Sequence, residues 1–133
     1  MGFRQLYGES LNSNPSKVEF EFAIPTNGAT TPVASGIRGR GAVVTRTGVG
    51  VYTIVFSAGH KYLDLLEAKA HLRLAAIGNT WAQVGTWVAA TRTLTVNCIT
   101  SAAVAAEWPA ANSDNVLHIK VTFGDSNTKP ANV

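Results

Sequence analysis

The side chains that could perform catalysis or bind a metal are few in this sequence, and they are widely spaced. His60, His71 and His118 are joined by no HExxH or CxxC pattern, and the last two fall on polar positions of alternating segments, as exposed strand residues do. Glu19 and Glu21 are two residues apart, which is more typical of a solvated strand face than of an acid pair. No serine lies in a GxSxG context. We therefore predict no catalytic residue, no metal site and no cofactor, and we expect that the protein is not an enzyme.

The segment from Gly36 to Gly41, GIRGRG, is the closest match to a phosphate-binding loop. It leads into a predicted strand, so it lacks the helix N-terminus that such loops use to hold a phosphate. We interpret it as a flexible connection, and we expect no small-molecule ligand. Arg38 and Arg40 remain candidates for pairing with acidic groups of a protein partner, because the guanidinium group binds carboxylates through two parallel donors.

Aromatic residues and the thiol offer two further candidates. Trp81, Trp87 and Trp108 could form a platform that stacks on sugar rings, although packing in a core or an interface is the favoured interpretation.

Cys98 is the single cysteine, so it cannot form an internal disulfide. Its apolar surroundings, TLTVNCIT, predict a buried structural thiol.

A β-hairpin is the clearest predicted element, within the stretch GAVVTRTGVGVYTIVFS. Ala42 to Arg46 and Val49 to Phe56 are rich in β-branched and aromatic residues, and Thr47-Gly48 supplies a two-residue turn. That turn would place Val44 opposite Val51 and sort the side chains onto two apolar faces, which suggests a core on one side and a neighbouring molecule on the other. One predicted face carries Val44, Val49, Val51 and Val55, and the other carries Val43, Tyr52, Ile54 and Phe56.

Alternating or β-rich patterns predict further strands at Lys17 to Ile24, Trp81 to Ala89, Thr93 to Ile99 and Val116 to Phe123. The segment from Tyr62 to Ile77 fits a helical stripe as well, but charged residues at every second position favour a strand. Residues 101–115 fit a brief helical turn or a packed loop equally well.

We therefore predict an all-β protein with a single antiparallel β-sandwich, of the jelly-roll or immunoglobulin-like kind, whose strand order stays open. Residues 1–16 would form an N-terminal arm or loop, residues 17–123 the sandwich, and residues 124–133 a loose tail.

Composition bears on the class of partner. Charged residues make up 14% of the 133 residues, against a typical share of about 25%, which suits a subunit that buries much of its surface in an assembly. The 11 lysines and arginines are scattered and the formal net charge is only +3, so we expect no nucleic-acid partner. The first residues contain no long apolar run, so we expect neither a signal peptide nor a membrane partner.

Four segments resemble the capsid decoration, or cement, proteins of tailed bacteriophages: GRGAVVTRTGVGVYTIVFS, KYLDLLEAKAHLRLAA, WAQVGTWVAATRTLTV and NSDNVLHIKVTF. The resemblance covers roughly residues 17–123, and TRTGVGVYT is its most specific piece. It implies β-sandwich subunits that typically sit as trimers on the outer surface of a phage head, and it supports a strand at residues 65–75.

The leading expectation is a structural virion protein, made in the cytoplasm of a bacterial host. It would stabilise the head by binding between subunits of the major capsid protein as a homotrimer. The alternative is a module of a phage tail, neck or fibre that binds a host glycan through the tryptophans. A polysaccharide hydrolase is disfavoured because no acid pair is evident. The expected partner contacts are Phe3, Arg4, Tyr7, Arg38 and Arg40, and the expected subunit interface contains Val44, Val51 and Val55.

Overall fold

The structure is a computed structural model that describes residues 17–57 and 62–125. The predicted arm with Phe3, Arg4 and Tyr7 lies outside the described residues, as do His60 and the last part of the chain. The prediction of an all-β protein with two packed antiparallel sheets is confirmed. The strands are β1 (Lys17–Pro25), β2 (Ala42–Gly48), β3 (Val51–Phe56), β4 (Tyr62–Arg73), β5 (Thr80–Val88), β6 (Thr93–Thr100) and β7 (Val116–Asp125).

Within the described residues, one sheet has three strands in the order β1-β7-β4, and the other has four strands in the order β2-β3-β6-β5. All neighbours in both sheets are antiparallel. Pairing of the first strand with the seventh differs from an immunoglobulin constant domain, in which strand A lies beside strand B. The helical segments of the described chain are two single 3-10 turns, Ala34–Gly36 and Ala89–Thr91, and neither could cross a bilayer.

The core lies between the two sheets, because alternate side chains of each strand point inward. Phe56 is its centre: its ring centroid is 5.0 Å from that of Phe20 and 5.0 Å from that of Phe123, both on the opposite sheet. Trp87 joins this cluster, with its ring 4.7 Å from that of Phe123. The alternating segments predicted to be strands are therefore β1 and β7, and each strand turns one apolar face towards the core between the sheets.

The hairpin of β2 and β3 forms, but its predicted turn and register are wrong. A bulge follows Arg46, and the chain turns at Val49 and Gly50. Gly50 has a φ of +65°, and a Cβ atom there would overlap the carbonyl oxygen of Ala106. The turn therefore requires glycine at position 50, because any side chain there would overlap the distant residue Ala106.

The shifted register also changes which valines face the core. Val44 lies opposite Ile54 and is only 5% exposed, whereas Val43 lies opposite Val55 and points outward with an exposure of 67%. The predicted grouping of Val44 with Val51 and Val55 is therefore wrong. Val44 is a core residue on the same side as Tyr52, Ile54 and Phe56.

The two ambiguous segments resolve clearly. Tyr62–Arg73 is a strand, as its strict alternation predicted. Residues 101–115 are a loop with no helical turn. It is tied to β6 by a bridge between Ile99 and Ala105, and Trp108 is buried, whereas residues 101–105 and 110–114 are exposed.

Candidate functional site

The outer surface of the four-stranded sheet carries no charged side chain at any outward position of its described strands. Its cross-strand rows contain valine, threonine and amide side chains: Val43–Val55–Thr93–Val88, Thr45–Thr53–Thr95 and Val51–Asn97–Gln83, followed by Ile99–Trp81. We call these positions the uncharged face. The one charged residue in these four strands is Arg46, which points the other way. Several members are well exposed, including Val43 at 67% and Trp81 at 52%.

The outer surface of the three-stranded sheet has the opposite character. Its successive rows read Ala23–His118–His71, Glu21–Lys120–Lys69 and Glu19–Thr122–Glu67. We call these positions the charged face. Two neighbouring rows are rich in basic groups and the next row is acidic, so the charges form stripes across the strands.

His71 and His118, which are distant in sequence, lie directly opposite each other on β4 and β7. Lys69 and Lys120 also lie directly opposite each other, two residues along the same strands from the histidine pair. A groove of about 330 Å³ lies between these two rows, and it is lined by Glu21, Phe22, Lys69, Ala70, His71, His118, Ile119 and Lys120. Two histidines that were predicted to be separate exposed residues are therefore part of one basic groove.

The two arginines of the GIRGRG segment are exposed. Arg38 pairs with Ala23 of β1 through two backbone hydrogen bonds of 2.9 Å, so it extends the histidine row at the edge of the charged face. Gly39 has a φ of +122°, and the chain bends at Arg40 and Gly41, so Arg40 lies outside this pairing. Arg38 therefore joins the charged face in the structure, whereas Arg40 is only near it along the chain.

The three predicted interface valines do not share one surface. Val55 is 37% exposed and Val51 is half-buried on the uncharged face, whereas Val44 belongs to the core. Val43, which the sequence assigned to the other face, takes its place beside Val55.

The tryptophans do not form a common platform. Trp81 is 52% exposed, Trp87 packs against Phe123, and Trp108 is 2% exposed and stacks on Tyr52 with ring centroids 4.2 Å apart. Packing, the favoured interpretation, is confirmed for Trp87 and Trp108. Trp81 is the member of the three that could meet a ligand.

Arg46 and Glu107 anchor the loop of residues 101–115 to the hairpin. The guanidinium donates two hydrogen bonds to the carboxylate, one of them 3.0 Å long from Nε to Oε1. The same carboxylate accepts hydrogen bonds from the backbone N–H groups of Gly50, at 3.3 Å, and Trp108, at 3.2 Å. These donors, with Arg46 first, lower the pKa of Glu107 to about 2. This carboxylate is therefore a structural anion and not an acid poised for catalysis.

Cys98 is fully buried, which confirms the predicted structural thiol. Burial raises the pKa of this thiol to about 11. Burial likewise raises the pKa of Tyr52 to about 12. Neither group is ionised at neutral pH, so neither offers a nucleophile.

Within residues 17–57 and 62–125, no group of three or more histidine, cysteine, aspartate or glutamate side chains could hold a metal ion. The two outer sheet faces are therefore the strongest candidates for function in the described part of the chain. Comparison with family models, with curated proteins and with solved structures found no match to this chain.

Proposed function

We propose that the protein is a structural, non-enzymatic subunit that decorates and stabilises a phage head. It would associate with copies of itself, as a trimer, and bind between subunits of the major capsid protein. The observation that carries this proposal is the contrast between the uncharged face and the charged face of one small β-sandwich. A subunit with two such faces can use one for its own copies and the other for a different protein.

Self-association through the uncharged face is supported by its lack of charge. Two copies can bury these positions without placing like charges against each other or desolvating an ion, which would cost several kcal/mol per ion. Val43, Val55 and Trp81 supply exposed apolar surface for the contact. The proposed subunit interface therefore contains Val43, Val51 and Val55, and it no longer contains Val44, which is a core residue.

The resemblance of the hairpin and its neighbouring strands to decoration proteins supports placing this assembly on a phage head. A trimer also makes weak contacts with the shell effective, because three bind together. In this proposal the charged face, with Arg38 at its edge, is available to the shell.

The test is the copy number of this chain in purified virions, measured by quantitative mass spectrometry against the major capsid protein. A head decoration protein is present in hundreds of copies per particle, because the shell repeats its binding sites. A few to a few dozen copies, or absence from the particle, would contradict the proposal.

A glycan-binding module of a tail, neck or fibre is the second candidate, and it depends on the exposed ring of Trp81. Binding on a glycan array that is abolished by Trp81→Ala, with Leu66→Ala as a control for an exposed apolar side chain on the other sheet, would favour this candidate over head decoration. A sugar-binding platform made of all three tryptophans is excluded, because Trp87 and Trp108 pack in the core.

A further inference from the structure

Two pairs of basic side chains lie side by side on the charged face. Lys69 is directly opposite Lys120, and His71 is directly opposite His118, in consecutive registers of β4 and β7. Like charges directly opposite each other in an antiparallel pair destabilise the sheet. The lysine pair is therefore unfavourable for the isolated chain where no carboxylate neutralises it.

The described residues neutralise this cluster only in part. Glu21 lies directly opposite Lys120 on β1 and lines the same groove, although no ion pair joins these two side chains within residues 17–57 and 62–125. Lys69 lies 4.0 Å from Glu67, both side chains being well exposed, and that contact is weak. No ion pair or side-chain hydrogen bond within residues 17–57 and 62–125 engages Lys120, His71 or His118. Arg38 adds another positive charge at the end of the histidine row. Lys69, Lys120, His71 and His118 thus line the groove, and the last three make no side-chain hydrogen bond or ion pair within the described residues.

The groove has room for a small group only. Its volume of about 330 Å³ is at the lower end of the range for ligand pockets, and it is open to solvent. One or two carboxylate side chains fit this volume, and they would lie within reach of the lysine and histidine donors.

The neighbouring acidic row restricts the kind of anion. Glu19 and Glu67 lie on either side of Thr122, in the row next to the lysine pair and on the side away from the histidines. A long polyanion such as a nucleic acid would be forced against these carboxylates, and so would an extended anionic membrane surface. A protein surface avoids this repulsion because its acidic and basic side chains can alternate to match the stripes.

We propose that the groove between the rows His118–His71 and Lys120–Lys69 binds carboxylate side chains of an acidic segment on a partner protein. Lys69 and Lys120 bind the carboxylates, and the histidines donate hydrogen bonds from the adjacent row. The inference concerns the charged face alone and goes beyond head decoration, since it does not depend on where the partner is found.

The experiment uses the full chain and a fluorescently labelled hexaglutamate peptide, with hexaserine as the neutral peptide. Lys120→Gln is compared with Lys17→Gln, which makes the same charge change on the same face, away from the groove. We expect Lys120→Gln to weaken hexaglutamate binding about two- to fivefold, the range for one exposed ion pair, and Lys17→Gln to leave it nearly unchanged. Circular dichroism confirms that both variants fold.

Three outcomes would overturn the proposal. The first is equal binding of hexaglutamate and hexaserine, and the second is an equal loss of affinity in the two variants. The third is Lys120-dependent binding of a short DNA duplex that is tighter than hexaglutamate binding, because it would point to a nucleic-acid surface.

Discussion

Gly50 determines the geometry of the hairpin from a single position. Its φ of +65° and its contact with the carbonyl oxygen of Ala106 exclude any side chain, and its own carbonyl accepts a 2.7 Å hydrogen bond from the backbone of Cys98. The turn is therefore fixed by the packing of the hairpin against β6 and the loop that follows it.

We expect Gly50→Ala to lower the free energy of unfolding by at least about 2 kcal/mol, because it adds both backbone strain and overlap. Gly48→Ala is the matched control: Gly48 has no positive φ, and a Cβ there would meet Val51 at an ordinary 3.8 Å. Its effect should be within about 0.5 kcal/mol. Urea unfolding of both variants makes the comparison, and the reverse order would support the Thr47-Gly48 turn that the sequence suggested.

Glu107 makes stability depend on pH in a defined direction. Its pKa in the folded state is about 2, lowered first by the hydrogen bond from Arg46, whereas an unperturbed glutamate titrates near 4.5. The contribution of Glu107 is therefore fully present above about pH 4.5, and it is lost as the pH falls towards 2.

Glu107→Gln removes this contribution, and we expect it to lower the melting temperature at neutral pH by roughly 5 °C. The melting temperature of the variant should also fall less steeply than that of the wild type between about pH 4.5 and 2. Thermal unfolding across this range measures both effects. Parallel curves for the two proteins would show that another group is responsible for the acid sensitivity.

At the scale of elements, the sequence predicted the strands better than their partners. Alternation identified β1, β4 and β7, because each of these strands has one face in the core and one in solvent. The hairpin register was missed because Gly48 and Gly50 both suit a turn locally, and only the distant carbonyl of Ala106 decides between them. Sequence also could not pair His71 with His118, since that neighbourhood depends on strand order.

The candidate faces were partly readable in the same way. The segments that became β2, β3, β5 and β6 contain Arg46 as their one charged residue, and this signal is visible in the sequence. What the sequence lacked was the sheet order that places these strands side by side. The uncharged face therefore appears only when the order β2-β3-β6-β5 is known.

The pairing of β4 with β7 leads to a prediction about stability. Lys69→Glu converts the like-charged pair with Lys120 into an opposite-charged one, so we expect it to increase the free energy of unfolding by roughly 0.2–1 kcal/mol. Lys17→Glu serves as the control because Lys17 lies opposite Gly124. Denaturant unfolding at low salt measures the effect. A destabilised Lys69→Glu variant would show that the lysine pair does not repel in the folded chain.

For the whole molecule, the contrast between the two faces predicts how copies associate. We expect Val43→Glu to weaken self-association at least about tenfold, because it places a charge in a contact that otherwise has none. Leu66→Glu is the control, since Leu66 is 53% exposed but belongs to the three-stranded sheet. Sedimentation velocity over a range of concentrations measures both variants. A monomeric wild type, or equal effects of the two substitutions, would contradict association through the uncharged face.

The central position of β7 has a consequence for how the chain is made. β7 is the last strand within the described part of the chain, residues 17–57 and 62–125, yet it is the partner of both β1 and β4 in their sheet. That sheet cannot assemble until residues 116–125 have emerged from the ribosome. Until then the inward side chains of the other sheet, including Tyr52, Ile54 and Phe56, have no opposing layer, and a nascent chain would expose them to water. Closure of the sandwich must therefore wait until β7 has been synthesised.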